Sequence, residues 1–217
     1  MYREVITDLR KSPLGLSNYI WLWENTIRNI DFVELNKFLL QLEKELLQKP
    51  SLSTGGTGVK GVTSRFGYYN LFFKEHPELR KVESFIYENI KYFLKHKNIS
   101  QNEIYVQCWF NVLREGEEIK IHRHRAVGDF NLSFISGNLS TTDNDTKTYY
   151  TTFNEEKSFS IDNEKGKLTL FPSYTPHFTT INKSKKERIS IAFDIHPEVS
   201  FIDPKYIEGG IIKKVML

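Results

Sequence analysis

The chain carries a single cysteine, Cys108, so no disulfide can close within it; that usage suits a reducing compartment. No stretch approaches the roughly 20 consecutive apolar residues of a membrane-spanning helix. The opening MYREVITDLRKSPLG lacks the apolar centre of a secretion signal, so a cytoplasmic location is expected. Neither sign of charge dominates, because 30 basic against 27 acidic residues leave a net +3. The densest basic cluster, Lys183, Lys185 and Lys186, reads as a solvated turn, and no dedicated nucleic-acid or membrane surface is expected. Repeats and low-complexity tracts are also missing. GGTG in SLSTGGTGVKG lacks the strand–GxxxxGK[ST]–helix setting of a phosphate loop. It reads as a mobile surface loop over Ser51–Gly61, with a substrate-covering lid as the alternative.

What is abundant is aromatic: 16 Phe and 11 Tyr among 217 residues, a composition that favours strands around a large core. The length is right for one well-cored domain, 1–217. Its first part, 1–100, reads as N-terminal strands followed by two helices. Tyr19, Trp21 and Trp23 alternate in SNYIWLWEN, and Asp31 with Glu34 makes a capping-box pattern. The helix it starts buries Phe32, Leu35, Leu39, Leu42 and Leu46. A second helix opens at His76-Pro77 and buries Leu79, Val82, Ile86, Ile90 and Phe93. From 104 to 196 short alternating segments separated by polar turns predict a β-sandwich or barrel, and 197–217 is left as a C-terminal tail. The fold class is α+β, mainly β. One domain is expected because neither helix can bury its stripe alone.

Two stretches carry chemistry. In EEIKIHRHRAVGDF, an extended 119–124 puts His122 and His124 on one face. In GKLTLFPSYTPHFTTINKSKKERISIAFDI, a proline corner leads to His177 and a turn leads to a last strand. That strand sorts Arg188, Ser190, Ala192 and Asp194 onto one face and Ile189, Ile191, Phe193 and Ile195 onto the other. The apolar face must pack under the helices, so the arginine looks into a cavity. A buried guanidinium there calls for an anion, which a bound dicarboxylate supplies by a bidentate pair. Ser190 lies on the same face. His76 and His96 read as structural or solvated, and His196 receives no role.

These residues resemble the iron(II)/2-oxoglutarate-dependent oxygenases, and among them the small prolyl-hydroxylase-like microbial and phage members. The matching stretches are WFNVLREGEEIKIHRHR, LTLFPSYTPHF and ERISIAFDI, from about Trp109 to Ile195; GGTGVKGVTSRFGYYNLF resembles the lead-in of such proteins. The resemblance implies a double-stranded β-helix (jelly roll) supported by N-terminal helices, with Fe(II), 2-oxoglutarate as cosubstrate and O2. It implies hydroxylation of a C–H bond in a peptide or a small molecule. By the same resemblance His122 and His177 are metal ligands. Arg188 grips the far carboxylate of 2-oxoglutarate, with Ser190 as its hydroxyl helper. Tyr149, or its neighbour Tyr150, reaches the cosubstrate, and Asn111 lines the pocket. The chain departs from the family's His-x-Asp/Glu at the carboxylate, where it has His124. Three neutral imidazoles would leave the metal one unit more positive. Either His124 ligates, or Asp129 or water completes the set; strand geometry favours His124.

Overall fold

In the computed structural model the described residues are 1–6, 19–52, 56–124, 133–152, 158–199, 202 and 204–217. Asp31 caps helix α1 (Phe32–Leu46), its carboxylate accepting from the Val33 and Glu34 amides at 3.0 and 3.1 Å. The return bond of the expected capping box comes from elsewhere: Glu78 Oε2 accepts from the Asp31 amide at 2.9 Å. Glu78 stands in the first turn of α2 (Pro77–His96), so one carboxylate ties the starts of both helices together. The stripes read from the 3.6-residue period are the buried faces of both helices. Each such Leu or Ile contributes ~1.5–3 kcal/mol by leaving water. Between the helices, Val62–Tyr68 and Leu71–Phe73 form 3₁₀ turns that composition alone did not announce. Among the described residues no helix is long and apolar enough to cross a membrane.

The strands are β1 (Tyr2–Ile6), β2 (Tyr19–Thr26), β3 (Glu103–Leu113), β4 (Ile135–Ser140), β5 (Lys147–Thr151), β6 (Ser158–Asp162), β7 (Lys167–Pro172), β8 (His177–Thr179), β9 (Arg188–His196) and β10 (Lys213–Met216). They make a seven-stranded sheet, β1-β2-β7-β4-β9-β3-β10, and a three-stranded sheet, β6-β5-β8, antiparallel throughout. This is the jelly roll with supporting helices. β9 sits between β3 and β4, and its residues alternate as expected. Ile189, Ile191, Phe193 and Ile195 join the helix stripes in the main core, and Arg188, Ser190, Ala192 and Asp194 line the cavity between the sheets. Gly137 on β4 is set by that outer packing, since a Cβ there would meet Phe193 Cζ at 2.3 Å.

Three expectations change. Residues 119–124 form no regular strand, only the bridge His122↔His177. Its partner β8 is three residues long and pairs on its other side with β5. The 197–217 stretch is more than a tail: helix α3 (Pro204–Glu208) leads to β10, which pairs along β3 from Lys213↔Val106 to Met216↔Glu103. The Ser51–Gly61 loop is not a free surface segment where described. Thr57 and Val59 are buried, Val59 clusters with Leu113 and Ile119, and the Lys120 amide donates to Thr57 O at 2.9 Å.

Candidate metal centre and adjoining cavity

The bridge delivers His122 and His177 to the same place. The His122 amide donates to His177 O at 3.1 Å, the His177 amide returns to His122 O at 2.9 Å, and the His124 amide reaches Ser173 O at 3.0 Å. The three imidazoles each offer a nitrogen within 4.8 Å of the others. His122 and His124 approach nitrogen to nitrogen, Nε2 to Nε2, at 3.3 Å.

The outer nitrogens decide what this cluster can do. His122 Nδ1 donates to Lys120 O at 2.9 Å and His177 Nδ1 to Thr175 O at 3.0 Å. Carbonyl oxygens only accept, so these Nδ1 atoms carry the protons. His124 Nδ1 lies 2.6 Å from Asp194 Oδ1. Burial pushes the Asp194 carboxyl up, but the His124 charge with the His124 and Ser136 hydrogen bonds outweighs it, and the group ends below its ordinary value. Asp194 is therefore a carboxylate acceptor, and Ser136 Oγ donates to it at 2.5 Å. His122 and His177 thus turn Nε2 lone pairs inward, and His124 Nε2 lies beside them. Lone pairs that close repel unless a cation lies between them. Metal–imidazole bonds of ~2.0–2.1 Å place neighbouring ligand nitrogens about 3 Å apart, which the 3.3 Å between His122 and His124 fits. Burial, then the nearby His124, pushes His122 down to about 4; burial, then both neighbours, pushes His177 well down. Both rings are neutral at neutral pH, as metal binding requires.

The cavity beside the cluster has a volume of about 530 Å³. At one end of the inner face of β9, Arg188 is 2% exposed, with Nε and Nη1 unpartnered. Its Nη2 has only Thr148 Oγ1, at 3.4 Å. Burial pulls the guanidinium down to about 10. Ser190 and Asn111 lie beside it on paired strands, Asn111 Nδ2 donating to Ser190 Oγ at 3.4 Å, while Thr63 Oγ1 donates to Asn111 Oδ1 at 2.8 Å.

The structure thus brings together His122, His124, His177, Arg188, Ser190 and Asn111 around one cavity. Tyr149 is not part of its wall; it stacks on Phe178, with ring centres 5.1 Å apart. Thr148 and Tyr150 occupy the inward positions of β5 instead, Thr148 against Arg188 and the fully buried Tyr150 against His177. Asp129 lies outside the described residues. The sequence reading missed Asp194 as the partner of His124, although it placed the residue on the cavity face. A carboxylate on that face needs a buried partner, and this was the available signal. It also missed Trp109 and Phe171, whose rings flank His124.

Antiparallel sheets facing each other across three convergent imidazoles and a buried arginine define a jelly roll with a candidate metal site. Residues 107–194 match the family described as "Putative 2OG-Fe(II) oxygenase". No curated protein matches the sequence. Among solved structures, the non-haem monooxygenase ThoJ in its nickel complex superposes with a TM-score of 0.53 at 11% identity, over 81% of this chain and 73% of that one. The α-ketoglutarate-dependent epimerase SnoN from nogalamycin biosynthesis gives 0.52 at 12% identity, over 81% and 77%. At such identities these likenesses establish the fold. A Pseudomonas putida prolyl-4-hydroxylase gives a TM-score of 0.38 at 17% identity over 43% of this chain, which spans about half (52%) of that one.

Proposed function

We propose that the chain is an iron(II)- and 2-oxoglutarate-dependent dioxygenase that hydroxylates a C–H bond of a peptide, prolyl-type, or of a small molecule. The single observation that carries the cosubstrate is Arg188, a buried guanidinium with two unpartnered nitrogens in the cavity that also holds the histidine cluster. It calls for a bidentate anion, and the far carboxylate of 2-oxoglutarate is one. In this reading His122, His124 and His177 hold the metal, and Ser190, positioned by Asn111, adds a hydroxyl donor beside Arg188. The metal with its cosubstrate and O2 supplies the oxidising power, with succinate and CO2 as the by-products.

The residues of the chain do the rest. Lys120 O, Thr175 O and Asp194 hold the three imidazoles in the tautomer that presents Nε2. Trp109 and Phe171 screen His124 from water. Thr57, from the Ser51–Gly61 loop, and Phe66 wall the cavity from the N-terminal side.

A cupin-like metal dioxygenase that needs no 2-oxoglutarate is favoured by the three-histidine set alone, and it leaves Arg188 without a partner. The two are separated by anaerobic titration of metal-free protein with iron(II) and then 2-oxoglutarate, watching for a visible charge-transfer band. A band that needs both additions and is lost in His177→Ala supports the proposal. Iron binding without the band favours the cupin-like reading, and no iron binding favours a non-enzymatic binding module.

A further inference from the structure

Arg188 and His196 stand at opposite ends of β9 and on the same face, eight residues apart, about 26 Å at ~3.3 Å per residue. An anion seated on Arg188 therefore leaves the His196 end of the cavity for something else. His196 is 3% exposed and Ser133 1% exposed. Both line the cavity, and Nδ1 and Nε2 of His196 and Oγ of Ser133 all lack a partner. The backbone brings them together: the Phe134 amide donates to Ile195 O at 2.9 Å, which extends the β4–β9 pairing to this end. Yet the two side chains do not bond each other. Unpaired buried polar groups cost stability, and here three such atoms sit in one wall.

We propose that His196 and Ser133 form a subsite that recognises a carboxamide of the substrate, a peptide bond or a primary amide. Burial lowers the His196 pKa, although Asp194 opposes the shift, so the ring is neutral at neutral pH and presents one donor and one acceptor. The Ser133 hydroxyl likewise gives one of each. A carboxylate offers acceptors alone and leaves the imidazole lone pair facing an anion. An ammonium offers donors alone and leaves the N–H unmet. A carboxamide supplies a C=O and an N–H on separate atoms, which two side chains on neighbouring strands can share. His196 is two residues, about 7 Å, along the strand from Asp194, the carboxylate that holds His124. An amide bound here therefore places carbons within a few bonds of it near the metal cluster. The inference rests on the oxygenase reading for what happens to those carbons, and not for the existence of the subsite.

The test uses metal-loaded full-length protein. The probes are acetyl-amino-acid N-methylamides bearing every natural side chain, each with its methyl ester, carboxylate and alcohol counterpart, and binding is read by ligand-observed NMR. At least one amide should bind. Its ester, which lacks the N–H, should bind about tenfold more weakly or worse, the worth of roughly one hydrogen bond. His196→Phe and Ser133→Ala should each weaken that amide by a similar factor. His196→Gln, which keeps a donor and an acceptor, should restore part of the binding. Metal uptake is measured on every variant, so that a misfolded protein is recognised; Ser133→Ala and the ester comparison on the unaltered protein carry the test if His196→Phe misfolds. Equal binding of amide and ester, preference for the alcohol or carboxylate, no amide bound, or a metal-competent His196→Phe that binds as before would each overturn the subsite. Should amide recognition hold while the iron and 2-oxoglutarate titration shows no band, the subsite stands and the dioxygenase proposal falls.

Discussion

Replacing Arg188 by methionine should stabilise the ligand-free protein and abolish its response to 2-oxoglutarate. The guanidinium is 2% exposed, with two unpartnered nitrogens and one weak bond at 3.4 Å to Thr148. Held down to about 10 by burial, it has lost on the order of 3 kcal/mol of its preference for the charged form. Exchanging a buried, poorly paired charge for an apolar side chain of similar volume is worth ~1–4 kcal/mol. In a chain of this size each kcal/mol moves Tm by about 2–4 °C, so Arg188→Met should melt roughly 5–10 °C above the unaltered protein without cosubstrate. Saturating 2-oxoglutarate at about a hundred times Kd adds ~2.7 kcal/mol to the unaltered protein and nothing to the variant, so the two melting curves should converge. Differential scanning calorimetry of the metal-loaded proteins under argon, with and without 2-oxoglutarate, reads both effects. A variant that melts lower in the absence of cosubstrate would refute the reasoning, because Arg188 would then be a satisfied structural residue rather than an anion site.

Asp194→Asn should weaken metal binding about 10–100-fold as measured by chelator competition, since an amide no longer holds the His124 tautomer as a carboxylate does; unchanged affinity would remove Asp194 from the site. Acid should destabilise the metal-free protein. His122 and His177 have folded pKa values lowered by burial, so the unfolded chain binds more protons as pH falls below ~6.5, and urea midpoints should drop between about pH 6.5 and 4. A flat profile would mean these rings are not held neutral. Gly137→Ala drives a methyl to 2.3 Å from Phe193 Cζ and 3.0 Å from Leu170 Cδ2; overpacking should cost ~1–3 kcal/mol in urea denaturation, and a neutral result would show that the Phe193 ring yields.

The helices were legible because a 3.6-residue stripe with a capping residue is a long, redundant signal, and the partition of β9 was legible because every second residue is a branched or aromatic hydrophobe. Where polarity does not alternate, the sequence is mute. In TKTYYTTF nothing separates Tyr149 from Tyr150, and a one-residue shift of parity reverses which of them points inward; the register Tyr150↔His177 puts Tyr150 inward, beside His177 and Phe171. The His122 segment is ordered by backbone bonds to His177, Ser173 and Thr57, long-range partners that no local pattern encodes. β10 is four residues with two lysines, as an edge strand beside solvent allows, and so it carried little strand signal.

The replacement of the usual carboxylate by His124 changes the charge next to the metal, and the assembled site answers it in a way that local spacing does not reveal. Three neutral imidazoles alone would leave a divalent metal one unit more positive than two imidazoles and a carboxylate do. The negative charge has not left the centre, however. Asp194 is half-buried and ionised, and it accepts from His124 Nδ1 at 2.6 Å and from Ser136 Oγ. Hydrogen bonding of this kind draws the imidazole proton toward the carboxylate and makes Nε2 a stronger donor. The total charge of the cluster then equals that of the two-histidine, one-carboxylate arrangement, with the carboxylate set one ring further out. The strand that supplies this compensation, β9, also supplies Arg188. In the proposed function a single run of alternating residues would therefore set both the charge behind the metal and the charge that meets the cosubstrate, and the extended backbone of β9 itself fixes the distance between them.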